Sequence, residues 1–368
     1  MVITKRLKLY LPNKKKAELL TKTAKTQTAC VNWWIEKIRE IESTNIKELQ
    51  RQFYYPARKE FGLGATMTQL AEYTAIRLVR ASKRKRRNAP NLKKNIISVS
   101  QLKIDKNNLG ISFGKGYFWI PFHSQAIPKG KIKESKIKQV GKDWYCLLSI
   151  DIETPKPKKY KRVMGVDLGL AKIAAIADGN GKNTKFFRGE ALRAKRNHYY
   201  RLRKKLQPKI KQGNVYKLLK RIGKKESNWI TDQNHKISRA IVNTAKKNKR
   251  TIALEDLTGI TRQLKFNKKT KRMITGWSFR QLSDFIKYKA RLEGLPDVLA
   301  VDPRETSKRC PKCGHISRSN RKSQERFVCK RCGYESNADR IGAMNIAQRA
   351  AGLLAEPITH GQQGIALM

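Results

Sequence analysis

Apolar and polar residues alternate from the start of the chain: "ITKRLKLYLP" has a period of two and predicts a strand closed by "PN". The period then lengthens. Between about residues 14 and 95, "KAELLTKTAKTQTACVNWWIEKIREI" and "TMTQLAEYTAIRLVRASKRKRR" carry apolar residues three and four apart with Lys or Arg opposite. That spacing predicts packed helices with a basic outer face. From about 96 to 160 alternation returns in "IISVSQLKIDKNNLGISFGKGYFWIPF" and "KIKQVGKDWYCLLSIDIE", with turn signals at "NNLG", "GKG" and "VGKD". These strands predict an antiparallel sheet or small barrel that the first strand would complete.

A Pro- and Lys-rich stretch, "TPKPKKYKR", marks a boundary before Val163. Beyond it, "RVMGVDLGLAKIAAIAD", the turn "GNGK" and "TKFFRG" predict two or three consecutive strands. Residues 190 to 250 are mostly helical in pattern and lead into the apolar strand "TIALEDL". A further helix, "SFRQLSDFIKYKARLEG", a short strand, "DVLAVD", a cysteine-containing stretch and a last helix, "DRIGAMNIAQRAAGLLA", complete the pattern. Helices alternating with strands predict an α/β layer, so the expected fold class is α+β and α/β multidomain.

Composition narrows what such a fold does. With 368 residues and 39% hydrophobic content the chain has material for two or three cores. Lys and Arg number 83 against 28 Asp and Glu, a formal charge of +55 spread along the whole chain, which predicts a polyanionic partner. No run of about 18 apolar residues is present, and the opening "MVITKRLKLYLPNKKK" lacks the apolar core of a secretory signal. Membrane association is therefore not expected, and a cytoplasmic location is. Four of the six cysteines form two CxxC pairs, which suits a reducing compartment and a metal site; Cys30 and Cys146 stand apart and are expected to be inert core residues.

Cys310, Cys313, Cys329 and Cys332 form C-x2-C-x15-C-x2-C, the spacing of a four-cysteine zinc site. Gly314 and Gly333 each follow the second cysteine of a pair, where the turn calls for positive φ. Two unrelated thiol pairs or a redox CxxC would also supply four cysteines, but the duplicated "CPKCG" and "CKRCG" argue against both. A closed thiolate shell leaves no open position for water, so the expected zinc is structural.

In so basic a chain a few acids occupy unusual places. Asp167 sits inside the apolar "MGVDLGL", Glu255 ends "IALEDL", and Asp339 opens the last helix. Carboxylates from distant segments are what two hard divalent ions about 4 Å apart require for phosphoryl transfer. Each acid alone has a plainer reading: Asp339 as a helix N-cap, Glu255 as a solvated strand end with Asp256 turned inward instead. An unpaired carboxylate in an apolar strand costs several kcal/mol, roughly, unless paired or metal-bound, so Asp167 is the hardest to explain away.

The order "GVDLGL", "ALEDL", paired CxxC and "NADRIGAMNI" resembles the RuvC-like nuclease domain of transposon-encoded TnpB proteins, ancestor-like to type V CRISPR effectors. The resemblance covers residues 160 to about 350 and includes "NHKISRAIV", "GWSFRQLSDFIKYKARLEG" and "DPRETSKRCPKCG". It implies that Asp167, Glu255 and Asp339 bind Mg²⁺, two ions with Mn²⁺ able to substitute, and cut DNA, with one structural Zn²⁺ on the cysteines. One departure stands out: the last motif of the family reads D-x-N-A-A-x-N-I, and here Ile341 and Gly342 occupy its Asn-Ala positions.

The N-terminal half resembles the family more weakly, in "LKLYLPNKKKAELL" and "NWW". The resemblance implies a wedge-like β-barrel (residues 1–13 and 96–160) interrupted by a helical recognition domain (14–95). An RNase H-like RuvC domain (161–305 and 338–368) with an inserted zinc ribbon (306–337) would follow. The implied partners are a guide RNA from the transposon end and double-stranded target DNA with unwound strands, cut next to a short motif. A monomer associated with the nucleoid of a bacterial or archaeal cell is the favoured setting. Trp33, Trp34, Tyr54, Tyr55, Tyr199 and Tyr200 lie among basic residues and offer rings either to bases or to the core. Three readings remain beside the guided nuclease: a compact type V CRISPR effector, a non-cutting RNA-guided regulator and a strand-joining transposase.

Overall fold

The computed structural model describes residues 1–11, 13–84, 91–92, 95–113, 116–169, 172–256, 279–323 and 325–355. The expected nuclease domain includes 257–278, which holds the "GWS" that opens one of the family-like blocks, and 356–368, and both stretches lie outside the described residues. The chain divides into two compact units, Met1–Glu153 and Thr154–Met368.

The first unit contains β1 (Val2–Leu9), helices α1 (Lys14–Glu40), α2 (Ile46–Phe61) and α3 (Ala65–Arg84), then β2 (Ile96–Val99), β3 (Leu102–Asp105), β4 (Asn108–Ile111), β5 (Phe118–Pro121), β6 (Lys131–Ile132), β7 (Ser135–Val140) and β8 (Asp143–Asp151). In β8 the period of two puts Trp144, Cys146, Leu148 and Ile150 on one buried face, and antiparallel β1 adds Leu7 and Leu9. Asn13 caps α1 by accepting from the Lys16 backbone N–H at 2.8 Å. The apolar stripe of α1, including Leu20, Val31, Ile35 and Ile38, packs with that of α3, including Met67, Leu70, Ala71, Ile76 and Val79.

The barrel expected here does not close among the described residues. One sheet runs β1-β8-β7-β2, with β6 also on β8, and β3-β4-β5 forms a separate sheet that meets the end of β1 at the Leu9–Phe122 bridge. The free edge of β2 is taken by a helix instead. Gln27 of α1 accepts from the Ser98 N–H at 2.7 Å and donates to the Ser98 carbonyl at 3.1 Å, while Thr28 accepts from the Ile96 N–H at 3.3 Å. An edge whose donors and acceptors are already satisfied offers no ladder to a closing strand. Trp34 is also removed from any base-stacking role, being 0% exposed beneath Trp33. Cys30 and Cys146 are buried, and burial pushes both thiols up to about 12, as inert core residues require.

The second unit is built on β9 (Val163–Asp167), β10 (Lys172–Asp178), β11 (Lys185–Arg188), α4 (Glu190–Leu206), α5 (Val215–Lys247), β12 (Thr251–Glu255), α6 (Phe279–Leu292), β13 (Leu299–Val301), a hairpin of β14 (Arg326–Val328) and β15 (Glu335–Asn337), and α7 (Ala338–Ala355). The sheet order is β11-β10-β9-β12-β13; β9 to β11 are antiparallel, whereas β12 runs parallel to both β9 and β13. Met164, Val166, Ile252 and Leu254 point to one face and pack on Ile241 and Val242 of α5 and on Leu282 and Ile286 of α6. Val163 and Ala253 point to the other face and pack on Ile346, Ala347 and Ala350 of α7.

Helix α7 is buried on more than one side because the ribbon covers what the sheet does not. Ile341 and Met344 join Phe327, Cys310 and Cys329 in a single apolar cluster. Burial of a side chain such as Ile341 or Phe327 is worth roughly 1.5–3 kcal/mol, so the hairpin and the helix stabilise each other. Against β9 the helix comes unusually close: a Cβ on Gly165 would stand 2.0 Å from the Ala343 carbonyl oxygen.

Candidate active site and cysteine cluster

Asp167 and Glu255 each end a strand, and the parallel register of β9 with β12, Leu254 beside Val166, brings those two ends together. Asp339 lies in the first turn of α7, on the side of the helix that faces β9: a Cβ on Gly342, one turn later, would stand 2.5 Å from the Asp167 Oδ2. Three segments distant in sequence thus bring one carboxylate each to the same end of the sheet.

The alternatives left by the sequence resolve in this geometry. Asn337 is the cap of α7, its Oδ1 accepting from the backbone N–H groups of Asp339 at 3.1 Å and Arg340 at 3.3 Å, so the Asp339 carboxylate is not used for capping. It is 6% exposed, and its Oδ2 has no hydrogen-bond partner among the described residues. Glu255 rather than Asp256 turns toward Asp167. Asp256 is exposed just past the strand, while Glu255 accepts a 2.5 Å hydrogen bond from the Thr306 hydroxyl and raises the pKa of Asp167 through its charge.

Burial, then the charges of Glu255 and Asp339, push the Asp167 carboxyl well above the usual carboxylate range, with Arg321 opposing. Burial raises Glu255 against the hydrogen bond from Thr306, and raises Asp339 against the charges of Lys172 and Arg321. Burial is the leading cause in all three, and like charge from its two neighbours adds to it at Asp167. Lys172 Nζ stands 3.7 Å from Asp339 Oδ2 and Arg321 stands 3.6 Å from Oδ1.

The donor set fits hard divalent cations: three carboxylates, one of them with a buried oxygen lacking any hydrogen bond.

Sequence reasoning missed the residues that hold these acids in place. Asn345 donates to the carbonyls of Thr306 at 2.6 Å and Arg309 at 2.8 Å, tying the loop that carries Thr306 to α7. Thr306 in turn orients Glu255. Lys172 belongs to the same "VMGVDLGLAK" stretch as Asp167, and Arg321 lies between the two CxxC pairs, but neither position carries a periodicity that would mark it. The Ile341 departure is explained by packing: its side chain is part of the cluster with Phe327, where an amide would have no partner. Gly342 leaves room for the Asp167 carboxylate.

Cys310, Cys313, Cys329 and Cys332 bring their sulfurs within 4.8 Å of one another, with Cys310–Cys332 and Cys313–Cys329 at 3.6 Å. Among the described residues no other group of three or more Cys, His, Asp or Glu ligands is drawn so close. Four thiolates about 2.3 Å from a tetrahedral ion lie roughly 3.8 Å apart, so the cluster can hold zinc. The two halves are built alike. Gly314 (φ +74°) donates to the Cys310 carbonyl at 2.9 Å, and Gly333 (φ +68°) donates to the Cys329 carbonyl at 3.0 Å.

The fold has counterparts among known structures. The fold is similar to that in a structure titled as a Cas12f1-sgRNA-target DNA complex, with a TM-score of 0.67 at 16% identity over 91% of this chain and 83% of that one. It is also similar to a mini-RNA-guided endonuclease, CRISPR-Cas_phi3, with a TM-score of 0.51 at 12% identity over 98% and 93%. Residues 146–260 match a family model described as a probable transposase, OrfB_IS605, and 279–346 match one described as Cas12f1-like, TNB domain.

TnpB-like protein MJ0751 of Methanocaldococcus jannaschii is 32% identical over 202 residues, covering 53% of this chain and 71% of that protein. The chain belongs to the TnpB family. It is also 34% identical over 217 residues to the CRISPR-associated endodeoxyribonuclease Cas12f1 of Sulfoacidibacillus thermotolerans, covering 55% of this chain and spanning half the length of that relative.

Proposed function

We propose that the chain is a transposon-encoded, RNA-guided, Mg²⁺-dependent DNA endonuclease that cuts next to a short motif. The observation that carries the reading is the meeting of Asp167, Glu255 and Asp339 at one end of the sheet, with the Asp339 Oδ2 buried and without a hydrogen bond among the described residues. Support for DNA as substrate comes from the endodeoxyribonuclease name of the Cas12f1 relative. The formal charge of +55 suits a folded RNA and a heteroduplex, whose pairing rather than side chains would read the target.

In this reading Asp167, Glu255 and Asp339 hold two Mg²⁺, or Mn²⁺ in their place. When bound, the ions supply a water activated at neutral pH and polarise the phosphoryl oxygen. The chain's own residues prepare that chemistry. Thr306 fixes the Glu255 carboxylate by donating to it, and Asn345 fixes the loop bearing Thr306. Lys172 and Arg321 put positive charge beside the acids, which attracts a phosphodiester to a cluster that would otherwise repel it. The four cysteines hold one structural Zn²⁺ and keep the ribbon that carries Arg321 folded against α7.

The domain roles follow the same reading: residues 1–13 and 96–160 as the wedge-like part, 14–95 as the recognition helices, 161–305 and 338–368 as an RNase H-like RuvC domain, and 306–337 as its zinc ribbon. The protein acts as a monomer on unwound double-stranded DNA in the nucleoid. Among the described residues no helix is long and apolar enough to cross a membrane. A compact type V CRISPR effector is the second reading, favoured by the Cas12f1-like match over 279–346; it uses the same chemistry.

The test is purification from cells carrying the native locus, sequencing of bound RNA, and cleavage of matched DNA by wild type and Asp167→Ala. A discrete RNA and Mg²⁺-dependent cutting lost in the variant are expected. Equal activity in both proteins, or undiminished cutting in excess EDTA, would overturn the nuclease; binding without cutting would leave the regulator.

A further inference from the structure

The small sheet β3-β4-β5 carries a feature that the nuclease reading does not use. Its pairing sets Lys103, Gly110 and Trp119 in one row across three strands, Lys103 opposite Gly110 and Gly110 opposite Trp119. Alternation puts Leu109, Ile111 and Ile120 on the buried face, so the row lies on the other one. There the Trp119 indole lies flat on Gly110: a Cβ on that glycine would stand 2.8–3.0 Å from three atoms of the ring. Gly110 is buried beneath it, while Trp119 keeps 38% and Tyr117, two residues earlier, 37% of its surface exposed.

The two rings are 5.9 Å apart and tilted by 36°, and Lys103 Nζ stands 4.6 Å over the Tyr117 ring. The backbone beneath is held as well: Lys16 of α1 donates to the Trp119 carbonyl at 3.0 Å. Any side chain at position 110 would lift the indole. The glycine therefore fixes a flat aromatic surface with one face against the sheet and the other turned outward.

The chemistry around the rings decides what that face suits. Lys103, Asp105 and Asn108 share the outward side and are exposed, so this is not the contiguous apolar patch that a protein partner would bury. A flat π-system with a cation beside it, in a chain of +55, matches a nucleobase and its phosphate. Duplex DNA keeps its base faces stacked, whereas a folded RNA presents loop bases with free faces. We infer that Trp119 and Tyr117, seated on Gly110 and flanked by Lys103, form a stacking platform for an unpaired base of bound RNA. The inference rests on the RNA-binding reading above and adds a site within it.

The test compares wild type, Trp119→Ala, Trp119→Phe and Gly110→Val for binding to a short unstructured RNA, the same sequence as single-stranded DNA, and duplex RNA. Each is measured across a salt series, with thermal unfolding as the check on folding. One stacked base is worth roughly 1–3 kcal/mol, so Trp119→Ala should weaken unstructured RNA by about 5- to 150-fold. The salt slope should not change, because no phosphate contact is lost. Gly110→Val should reproduce the loss with Trp119 intact, Trp119→Phe should restore much of it, and duplex RNA should be unaffected.

Ultraviolet cross-linking of the wild type should place RNA on Trp119 or Tyr117. Unchanged affinity for unstructured RNA in Trp119→Ala, or an equal loss for duplex RNA, would overturn the platform. An equal loss for single-stranded DNA would overturn the assignment to RNA. A wild type that binds none of the RNAs would overturn the guided-nuclease reading and the platform with it, which separates that failure from the others.

Discussion

Gly165→Ala tests how closely the geometry of the carboxylate cluster depends on the contact between β9 and α7. The added Cβ would lie 2.0 Å from the Ala343 carbonyl oxygen and 2.7 Å from the Ala347 nitrogen, where ordinary contact begins at 3.4 Å. The shortfall, 3.4 − 2.0 = 1.4 Å, falls on backbone atoms in a strand and a helix, neither of which has a side-chain rotamer to give way. Overpacking of this kind costs typically 1–3 kcal/mol, and the backbone on both sides sets the expectation here at about 3 kcal/mol.

For a unit of this size that is a fall in Tm of roughly 6–12 °C. Because α7 carries Asp339 and β9 carries Asp167, a shift near 1 Å between them should also cost cleavage about 100-fold. The assays are denaturant or thermal unfolding and single-turnover DNA cleavage, with Gly223→Ala as control. Gly223 lies within α5 with nothing inside 4 Å of its would-be Cβ, so the control should gain roughly 0.5–1 kcal/mol and leave cleavage unchanged. A Gly165→Ala protein with wild-type Tm and wild-type cleavage would refute the argument that this contact sets the site.

Three further outcomes follow from the same residues. The folded-state pKa of Asp167 lies above its ordinary 3.8, so its ionisation costs stability, and the loss develops as pH rises from that value through the raised one. Urea unfolding in EDTA should therefore show Asp167→Asn gaining on wild type across that window and keeping its largest advantage above it; a difference that does not vary with pH would contradict the shift. Cys310→Ser should lower bound zinc from about one ion per chain, measured by mass spectrometry, and reduce stability and cleavage together, since the ribbon packs through Phe327 on α7. Retained zinc would argue against the four-cysteine site. Ile341→Asn restores the family residue yet should destabilise by roughly 2–4 kcal/mol, because it leaves an amide among Phe327, Met344 and the cysteines; unchanged unfolding would show that the pocket tolerates it.

The cysteine cluster was legible in the chain because its geometry is local: two residues between ligands and a glycine after each pair are enough to build both turns. The strands and helices of the second unit were equally legible from their periods. Barrel closure was not, because the edge of β2 is satisfied by Gln27, 71 positions away from Ser98, and no period signals a side chain that replaces a strand. Nor did the pattern foretell Asn337 as the cap of α7, although the position two residues before Asp339 is where such a cap can sit.

Alone, the sequence determined which acids are anomalous. In a chain with 83 basic residues, carboxylates at the ends of apolar strands announce a need for cations wherever they fall. Only the tertiary structure decided which acid of "LED" belongs to the cluster. Neighbouring strand residues point to opposite sides, so Glu255 and Asp256 are equivalent until the register is known. The pairing of Leu254 with Val166 and the hydroxyl of Thr306, brought by a loop that Asn345 holds, turn Glu255 toward Asp167, while Asp256 is exposed.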